Sequence, residues 1–310
     1  MLLSVALKSY EQENPGSWGY LLARARLLDQ AGVDRVLVSD HVVFGEDLDE
    51  YARPEIGGQA GGRQPTGPDG SWLEPLTLLS VIAGQTSRIR LCTNILLAAL
   101  RTPAVLAKQA ATLDVLSEGR LDMGVGVGWQ QAEYDAAGLP FAGRGRLLDH
   151  TLDVCQLLWT QQRASYSAPE LTFDKIHAMP KPAQPGGVPI WVSGTVNKRV
   201  VARLARYGCR WIPWGPSAAS LGESIKRLRG ELAAAGADPA ALRVLGNLAV
   251  HRNADGSADV SRTMAAVPEL AGIGVTDVTA RFPLPDADGA AQEQLVPLVQ
   301  AFRAAAGRAS

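Results

Sequence analysis

The stretch Arg120-Leu121-Asp122-Met123-Gly124-Val125-Gly126-Val127-Gly128-Trp129 decides how the chain is read. It opens as a short apolar strand, 121–125, breaks into alternating glycines and stops at an indole. Without a Cβ, a glycine lets the main chain lie against a flat ring or a phosphate. A glycine-rich exit from a parallel strand also offers backbone N–H groups to an anion. The spacing Gly124-x-Gly126-x-Gly128 is not the G-x-G-x-x-G dinucleotide fingerprint, so tight packing at a strand end explains it equally well.

Outward from that stretch, short apolar runs alternate with longer amphipathic ones, the pattern of a parallel sheet with helical crossovers. The pattern predicts strands at 2–7, 35–38, 89–95, 121–125, 188–192, 209–212, 243–250 and 276–280. Helices are predicted at 18–30, 75–84, 103–116, 144–159, 197–207, 218–235, 261–271 and 290–305. In the first helix Leu21, Leu22, Ala25 and Leu28 share a face and Gly32 closes it. Pro75 and Pro103 fall where first-turn prolines belong. Eight strand–helix units close most economically into an α/β fold, a (β/α)8 TIM barrel occupying 1–310 as a single domain. A doubly wound open sheet is the other arrangement. Two insertions break the rhythm, one after strand two (42–72, rich in Gly and Pro) and one before strand five (163–187). A connection as long as the first is either a functional lid or disordered. The Ala-rich tail, 301–310, reads as a fraying helix end.

A formal charge of −1, from 30 basic and 31 acidic residues, creates no field to gather nucleic acid or an anionic membrane. The expected partner is a small-molecule substrate. No run approaches the ~20 apolar residues of a membrane span, and 1–7 lacks the basic region of a signal peptide. Cys92, Cys155 and Cys209 have neither zinc spacing nor the look of a disulfide framework, and read as buried hydrophobes of a cytoplasmic protein. No His/Asp/Glu cluster has metal-ligand spacing, so no metal is expected.

In such a barrel the site is built at the carboxyl ends of the strands. Those positions hold Lys8 and Tyr10, Ser39-Asp40-His41, Thr93-Asn94, Gly126 to Trp129, Ser193-Gly194-Thr195, Trp214, Arg252 and Arg281. The opposite ends carry Asp34, Arg88 and Arg120, read as ordinary turn residues. The result is a polar, aromatic-lined mouth suited to a large flat ligand. His41 has the chemistry to orient or protonate a reacting group near neutral pH; the alternative is a surface histidine capping a strand. Asp40 reads as structural, accepting loop N–H groups. Ser193-Gly194-Thr195 leads into the helix at 197, whose positive dipole end and free N–H groups favour a phosphate. Lys198 and Arg199 would oppose that dipole unless an anion sat nearby. The glycine turns after strands four and five are neighbours in a barrel and would grip one phosphate together.

Several longer pieces carry a resemblance. They are Ser39-Asp40-His41-Val42-Val43, Trp72-Leu73-Glu74-Pro75-Leu76, Thr86 to Thr93, Ala107 to Arg120, Gly124 to Trp129, Arg144 to Asp149, Pro180-Lys181-Pro182 and Pro189 to Gly194. Together they resemble the luciferase-like monooxygenase family, particularly its branch using the deazaflavin coenzyme F420. The resemblance implies a TIM barrel with a flavin or deazaflavin ring across the strand ends. It places Asp40 and His41 beside the ring and Asn94-Ile95 in a bulge behind it, often a cis non-prolyl peptide in relatives. Gly126, Val127, Gly128, Ser193, Gly194 and Thr195 would take the ribityl phosphate, and Tyr10, Trp129 and Trp214 would wall the substrate pocket. Lys198, Arg199 and Arg203 would meet the polyanionic F420 tail. The implied protein is a homodimer that transfers a hydride between F420 and a small organic substrate. An FMN-dependent monooxygenase using oxygen, and a cofactor binder without turnover, are the alternatives. Two departures stand out: Trp129 replaces an acid found in glucose-6-phosphate dehydrogenases of this fold, and Val196 replaces a hydroxyl residue, leaving Thr195 as the side-chain donor.

Overall fold

Whether the sheet is open or closed depends on what its first strand pairs with at its free edge. In a computed structural model of the chain, which describes residues 1–284 and 288–307, that partner is the last strand. The strands are β1 (Leu2–Ala6), β2 (Arg35–Val38), β3 (Arg90–Leu96), β4 (Leu121–Val125), β5 (Ile190–Gly194), β6 (Arg210–Pro213), β7 (Arg243–Asn247) and β8 (Asp277–Ala280). β1 pairs in parallel with β8, Leu2 opposite Asp277, and with β2, Ser4 opposite Arg35. The sheet is therefore a closed parallel barrel, and the doubly wound alternative is excluded.

Around it lie α1 (Gly19–Ala31), α2 (Pro75–Ala83), α3 (Pro103–Leu116), α4 (Gln131–Ala136), α5 (Arg144–Thr160), α6 (Lys198–Tyr207), α7 (Pro216–Ala219), α8 (Leu221–Ala234), α9 (Val260–Met264), α10 (Val267–Gly272) and α11 (Asp288–Ala305). α1 ends on Gly32 at φ 86°, and Pro75 and Pro103 open their helices. Where one helix was expected at 261–271, two form, because Pro268 has no N–H to continue the ladder. The helix expected at 218–235 likewise divides into α7 and α8, around Ser220. α4 was not anticipated. Of the tail, 301–305 is helical, while 308–310 lie outside the described residues. No described helix is long and apolar enough to cross a membrane.

Strand alternation sorts side chains to two sides. Leu3, Val36, Val38, Leu91 and Val125 pack outward against the helices, with Leu28, Ile82 and Leu106. Inside, Leu37, Cys92, Trp191, Ile212 and Leu245 form a separate cluster joined by Ala6 and Ile95. Two residues further along four of these strands lie Ser39, Asn94, Ser193 and Asn247, which with Thr279 of β8 form the upper layer, and all are at least partly exposed.

The lower ends depart from expectation. Arg120 donates to the carbonyls of Ser117 at 2.8 Å, Ala83 at 2.9 Å, Thr86 at 3.0 Å and Ile89 at 3.1 Å. Asp34 accepts the Leu3 N–H at 2.7 Å, and the Arg88 N–H donates to Asp29 Oδ1 at 3.0 Å. These are braces rather than ordinary turn residues, because carbonyls at a helix C-terminus need donors once the loop is packed.

The segment 42–72 contains two single 3-10 turns, Asp49–Ala52 and Pro54–Ile56. It ends in Ser71–Trp72, which pairs antiparallel with Tyr10–Glu11 and so ties the lid to the exit of β1. The second insertion is an antiparallel hairpin, Ala164–Ala168 with Leu171–Ile176.

Candidate active site

β2 delivers Ser39, Asp40 and His41 to the upper rim. Asp40 points behind it: its carboxylate accepts the Leu97 N–H at 2.8 Å and takes Arg101 side-on, at 2.7 and 3.2 Å. Arg101 continues to Glu74, 2.9 Å away, which caps α2 through Thr77 N–H. Asp40 is thus a brace between the exits of β2 and β3, as its sequence context suggested.

His41 is not a surface residue; 11% of its side chain is exposed. Its Nδ1 lies 3.2 Å from Oε1 of Glu133, which also accepts the Val42 N–H at 2.8 Å. Its Nε2 lies 3.3 Å from the amide nitrogen of Gln64 in the lid. Glu133, on α4, is 1% exposed, and its Oε2 has no hydrogen-bond partner among the described residues.

An aromatic chain runs through His41. Tyr10 stacks on Trp72 at 4.3 Å, and Trp72 meets His41 edge-on at 4.7 Å. His41 faces Trp129 at 6.0 Å, Trp129 meets Tyr51 at 5.5 Å, and Tyr51 reaches Trp214 at 6.3 Å. Phe44 flanks His41 at 4.6 Å. The three aromatics expected at the mouth are therefore brought together with His41, through Trp72, part of a motif already noted in the sequence, and Tyr51, which was not. Burial raises the Tyr51 phenol pKa, opposed in part by Arg281.

The lid is fastened over this chain. The Trp214 indole donates to Gly57 O at 3.0 Å, and Arg144 donates to Ile56 O at 2.6 Å. Gly57 has φ +101°, and a Cβ there would lie 3.1 Å from Gly128 O. Two cavities, of about 230 and 400 Å³, lie beneath the barrel around Arg88 and Arg303 and beside α5 around His150 and Tyr166. Neither is at the mouth.

The glycine turn after β4 is packed from within. A Cβ on Gly126 would fall 2.7 Å from Ile95 Cδ1, and one on Gly128 (φ +69°) 2.8 Å from Leu97 Cδ2. The Gly126 N–H already donates to Leu96 O at 3.2 Å, and Val127 O accepts the Tyr134 hydroxyl at 2.6 Å. Tight packing accounts for these glycines, and any phosphate contact would be additional. Asn94 and Ile95 are joined by a cis peptide bond, at the irregularity in the β3–β4 register.

β5 lies beside β4, Val125 opposite Val192, so the two turns are neighbours. Gly194 (φ +151°) accepts the Trp211 indole N–H at 2.9 Å, and Thr195 donates to Trp214 O at 3.1 Å. Ser217, from α7, accepts the Val196 N–H at 3.0 Å and so brings a hydroxyl next to the position where Val196 lacks one. Asn197 caps α6 by accepting the N–H groups of Arg199 and Val200. Arg203 is occupied elsewhere, with Asp149 and with Gly145 O at 2.7 Å, which removes it from the charges expected to meet an acidic tail. Lys198 and Arg199 remain exposed at the start of α6.

Cys92, inside the barrel, has its thiol pushed up to about 12 by burial. Among the described residues no group of three His, Cys, Asp or Glu stands close enough to hold a metal. Of the residues missed by sequence reasoning, Glu133 and Gln64 matter most. The signal for Glu133 was slight: one acid a helical turn beyond Trp129, in a short segment that follows a glycine turn.

An eight-stranded parallel barrel that gathers a histidine and aromatic side chains at its carboxyl ends has them where enzymes of this architecture build their sites. Residues 1–271 match the model of the luciferase-like monooxygenase family. An uncharacterized protein of Mycobacterium tuberculosis is 34% identical over 219 residues, 71% of this chain and 73% of the relative. An F420-dependent secondary alcohol dehydrogenase, solved with an F420–acetone adduct, superposes with TM-score 0.72 at 16% identity, over 97% of this chain and 99% of that one. The oxygenating constituent of the 3,6-diketocamphane monooxygenase from Pseudomonas putida, solved with FMN, superposes with TM-score 0.71 at 14% identity, over 96% of each chain. At such identities the superpositions establish the fold. The chain belongs to the luciferase-like monooxygenase family, and it is accordingly an oxidoreductase of that type.

Proposed function

We propose that the chain is an F420-dependent oxidoreductase that transfers a hydride between bound deazaflavin and a small organic substrate, with His41 handling the companion proton. The observation that carries this reading is the setting of His41: nearly buried at the rim, held through Nδ1, ringed by Phe44, Trp72 and Trp129, with Nε2 turned to the lid. The residues fit a flat ring with an anionic handle. Asn94 and Ile95 would support the ring, and Gly126, Val127, Gly128, Ser193, Gly194 and Thr195 would flank its phosphate. When bound, the deazaflavin supplies a ring carbon, C5, that carries hydride.

The chain's own groups do the rest. The lid and its aromatics exclude water, and Tyr10, Trp129 and Trp214 shape the space for an apolar substrate face. With Trp129 in place of an acid, proton work falls on His41. Lys198 and Arg199 support deazaflavin over flavin: Asn197 already caps α6, and a polyanionic tail would give the two exposed charges a partner. FMN is the second reading, favoured by the FMN-bound structural neighbour and by the same cradle.

Titration of the purified protein with F420 and with FMN, followed by ring fluorescence, tests the reading. Micromolar F420 binding with FMN about tenfold weaker or more is expected. Preference for FMN would transfer the proposal to the flavin, and binding of neither would overturn it. Bleaching of bound reduced F420 by candidate substrates separates an enzyme from a binder.

A further inference from the structure

We infer that Glu133 is a positioning residue that keeps the Nδ1 hydrogen on His41 and so makes Nε2 the nitrogen that exchanges a proton with substrate. The inference rests on the role given to His41 above and adds the group that sets its polarity.

Three observations carry it. The first is the division of the imidazole between two partners of opposite kind. Oε1 of Glu133, an acceptor, stands 3.2 Å from Nδ1, and the Gln64 amide nitrogen, a donor, stands 3.3 Å from Nε2. An acceptor at Nδ1 and a donor at Nε2 select the same tautomer, Nδ1–H with the lone pair on Nε2. Gln64 belongs to the lid, so a substrate hydroxyl or amine that displaces it would meet that lone pair directly.

The second is what a purely structural role would require. The segment after His41 is already pinned by Gln130, whose Oε1 accepts the Gly45 N–H at 2.5 Å and whose Nε2 donates to Val43 O at 3.0 Å. A further pin for the Val42 N–H needs only one acceptor oxygen, which a second glutamine would supply. The chain instead buries a carboxylate, 1% exposed, with Oε2 lacking any partner among the described residues. Burying an acid with one oxygen unpartnered is costly, so packing alone does not account for it.

The third is the charge balance. The neighbouring acid, Asp40, is matched by Arg101 at 2.7 Å. Among the described residues the side chain that can become a cation against Glu133 is His41 itself, and the two form an ion pair only once the imidazole is protonated. When substrate gives up its proton, its O–H or N–H bond breaks and the proton bonds to Nε2; the adjacent C–H bond would release its hydride to bound cofactor, leaving a C=O or C=N bond in the product. The imidazolium so formed retains both N–H bonds and faces the Glu133 carboxylate. Glu133 takes no proton. It holds the ring and lowers the cost of its charge.

The test uses full-length protein labelled with 15N-histidine, without added cofactor, and reads each ring tautomer by long-range 1H–15N correlation. Histidines 41, 150, 177 and 251 are distinguished by loss of the His41 signals in a His41→Asn variant. In the wild type His41 should carry its proton on Nδ1; a proton on Nε2 would overturn the inference outright. Glu133→Gln keeps an acceptor oxygen and should retain that tautomer, whereas Glu133→Met should lose it. A Met variant with an unchanged His41 spectrum counts against the inference. In the cofactor-loaded protein Glu133→Gln should lower kcat by about 10- to 100-fold with KM little changed, the range for outer partners of metal-bound histidines. A wild-type kcat in that variant overturns the charge role. Should the Met variant fail to fold, the wild-type tautomer and the Gln kinetics still decide. The tautomer is measured without cofactor, so its outcome is separate from that of the fluorescence titration.

Discussion

The two ends of the barrel interior are both polar, and they are built in opposite ways. At the lower end Arg35 bridges Asp122 at 3.2 Å and Asp277, with Ser4 at 3.2 Å, while Arg90 and Arg243 each close on one of the same carboxylates at 2.8 Å. Arg35 also lies over the face of Trp191, 4.5 Å from its centroid. Each of these buried carboxylates meets two guanidinium groups. At the upper end the inward residues are neutral and partly exposed, and the acids near them stand behind the rim. The upper Glu133 keeps one oxygen without a partner; the lower aspartates do not. Carboxylates paired through both oxygens make a plug that resists change, and the one unpartnered group beside them among the described residues is the neutral Trp191 indole N–H. Unsaturated polarity beneath the 42–72 segment is where, on the function proposed above, a ligand would complete the set.

The largest effect should come from breaking the plug. Arg35→Met removes the guanidinium shared by Asp122 and Asp277 and leaves buried charge partly uncompensated, a loss of roughly 3–5 kcal/mol. That corresponds to a fall in melting temperature on the order of 10 °C. The folded fraction should still bind cofactor as the wild type does, because the plug lies a full layer of side chains below the mouth. A variant melting within a degree or two of wild type would mean the lower end is not a stability device.

His41→Ala should show the converse. Turnover is expected to fall by ~10²-fold or more, equivalent to about 2.7 kcal/mol of barrier. Affinity for the cofactor should stay within about threefold, since the proposed phosphate grip lies on the β4 and β5 turns. An unchanged rate at saturating substrate would remove His41 from proton work and undo the functional half of the contrast.

The contrast also explains what could be read from the sequence. β2, β4 and α3 were legible to the residue, because strand and helix periods, Pro103 and the glycine turn are local signals. The rim positions followed from strand ends once a barrel was assumed. Arg35 read only as a strand start. Its burial makes sense through partners 87 and 242 positions away, which no local pattern reveals. Glu133 stands 92 positions from His41, and Gly57 accepts from Trp214 across 157. Distant pairs that satisfy buried polar groups were out of reach for the same reason at both ends. α4 escaped because a helix of 6 residues shows too little of its period.

The lid gives the smaller tests. A methyl at Gly57 would impose positive φ on an alanine and press on Gly128 O. The strain should cost about 1–2 kcal/mol, felt by the lid and hardly by the barrel. It should speed tryptic cleavage at Arg63 by roughly tenfold while melting changes little, as expected of a segment that opens locally. Cleavage at the wild-type rate would mean the lid is not fastened through that contact.

Smallest is the effect of freeing Nε2. Gln64→Ala removes one lid hydrogen bond, worth about 1 kcal/mol, and leaves the Glu133 contact in place. Diethylpyrocarbonate, which attacks an imidazole nitrogen lone pair, should then modify His41 about fivefold faster, with mass mapping to separate it from His150, His177 and His251. The reaction needs the lone pair on the nitrogen that faces the lid. A faster rate would therefore show both that the lid shields this site and that the shielded nitrogen is a base, whereas the plug at the other end has no comparable group to release. A rate unchanged by the substitution would mean that Gln64 does not guard the ring.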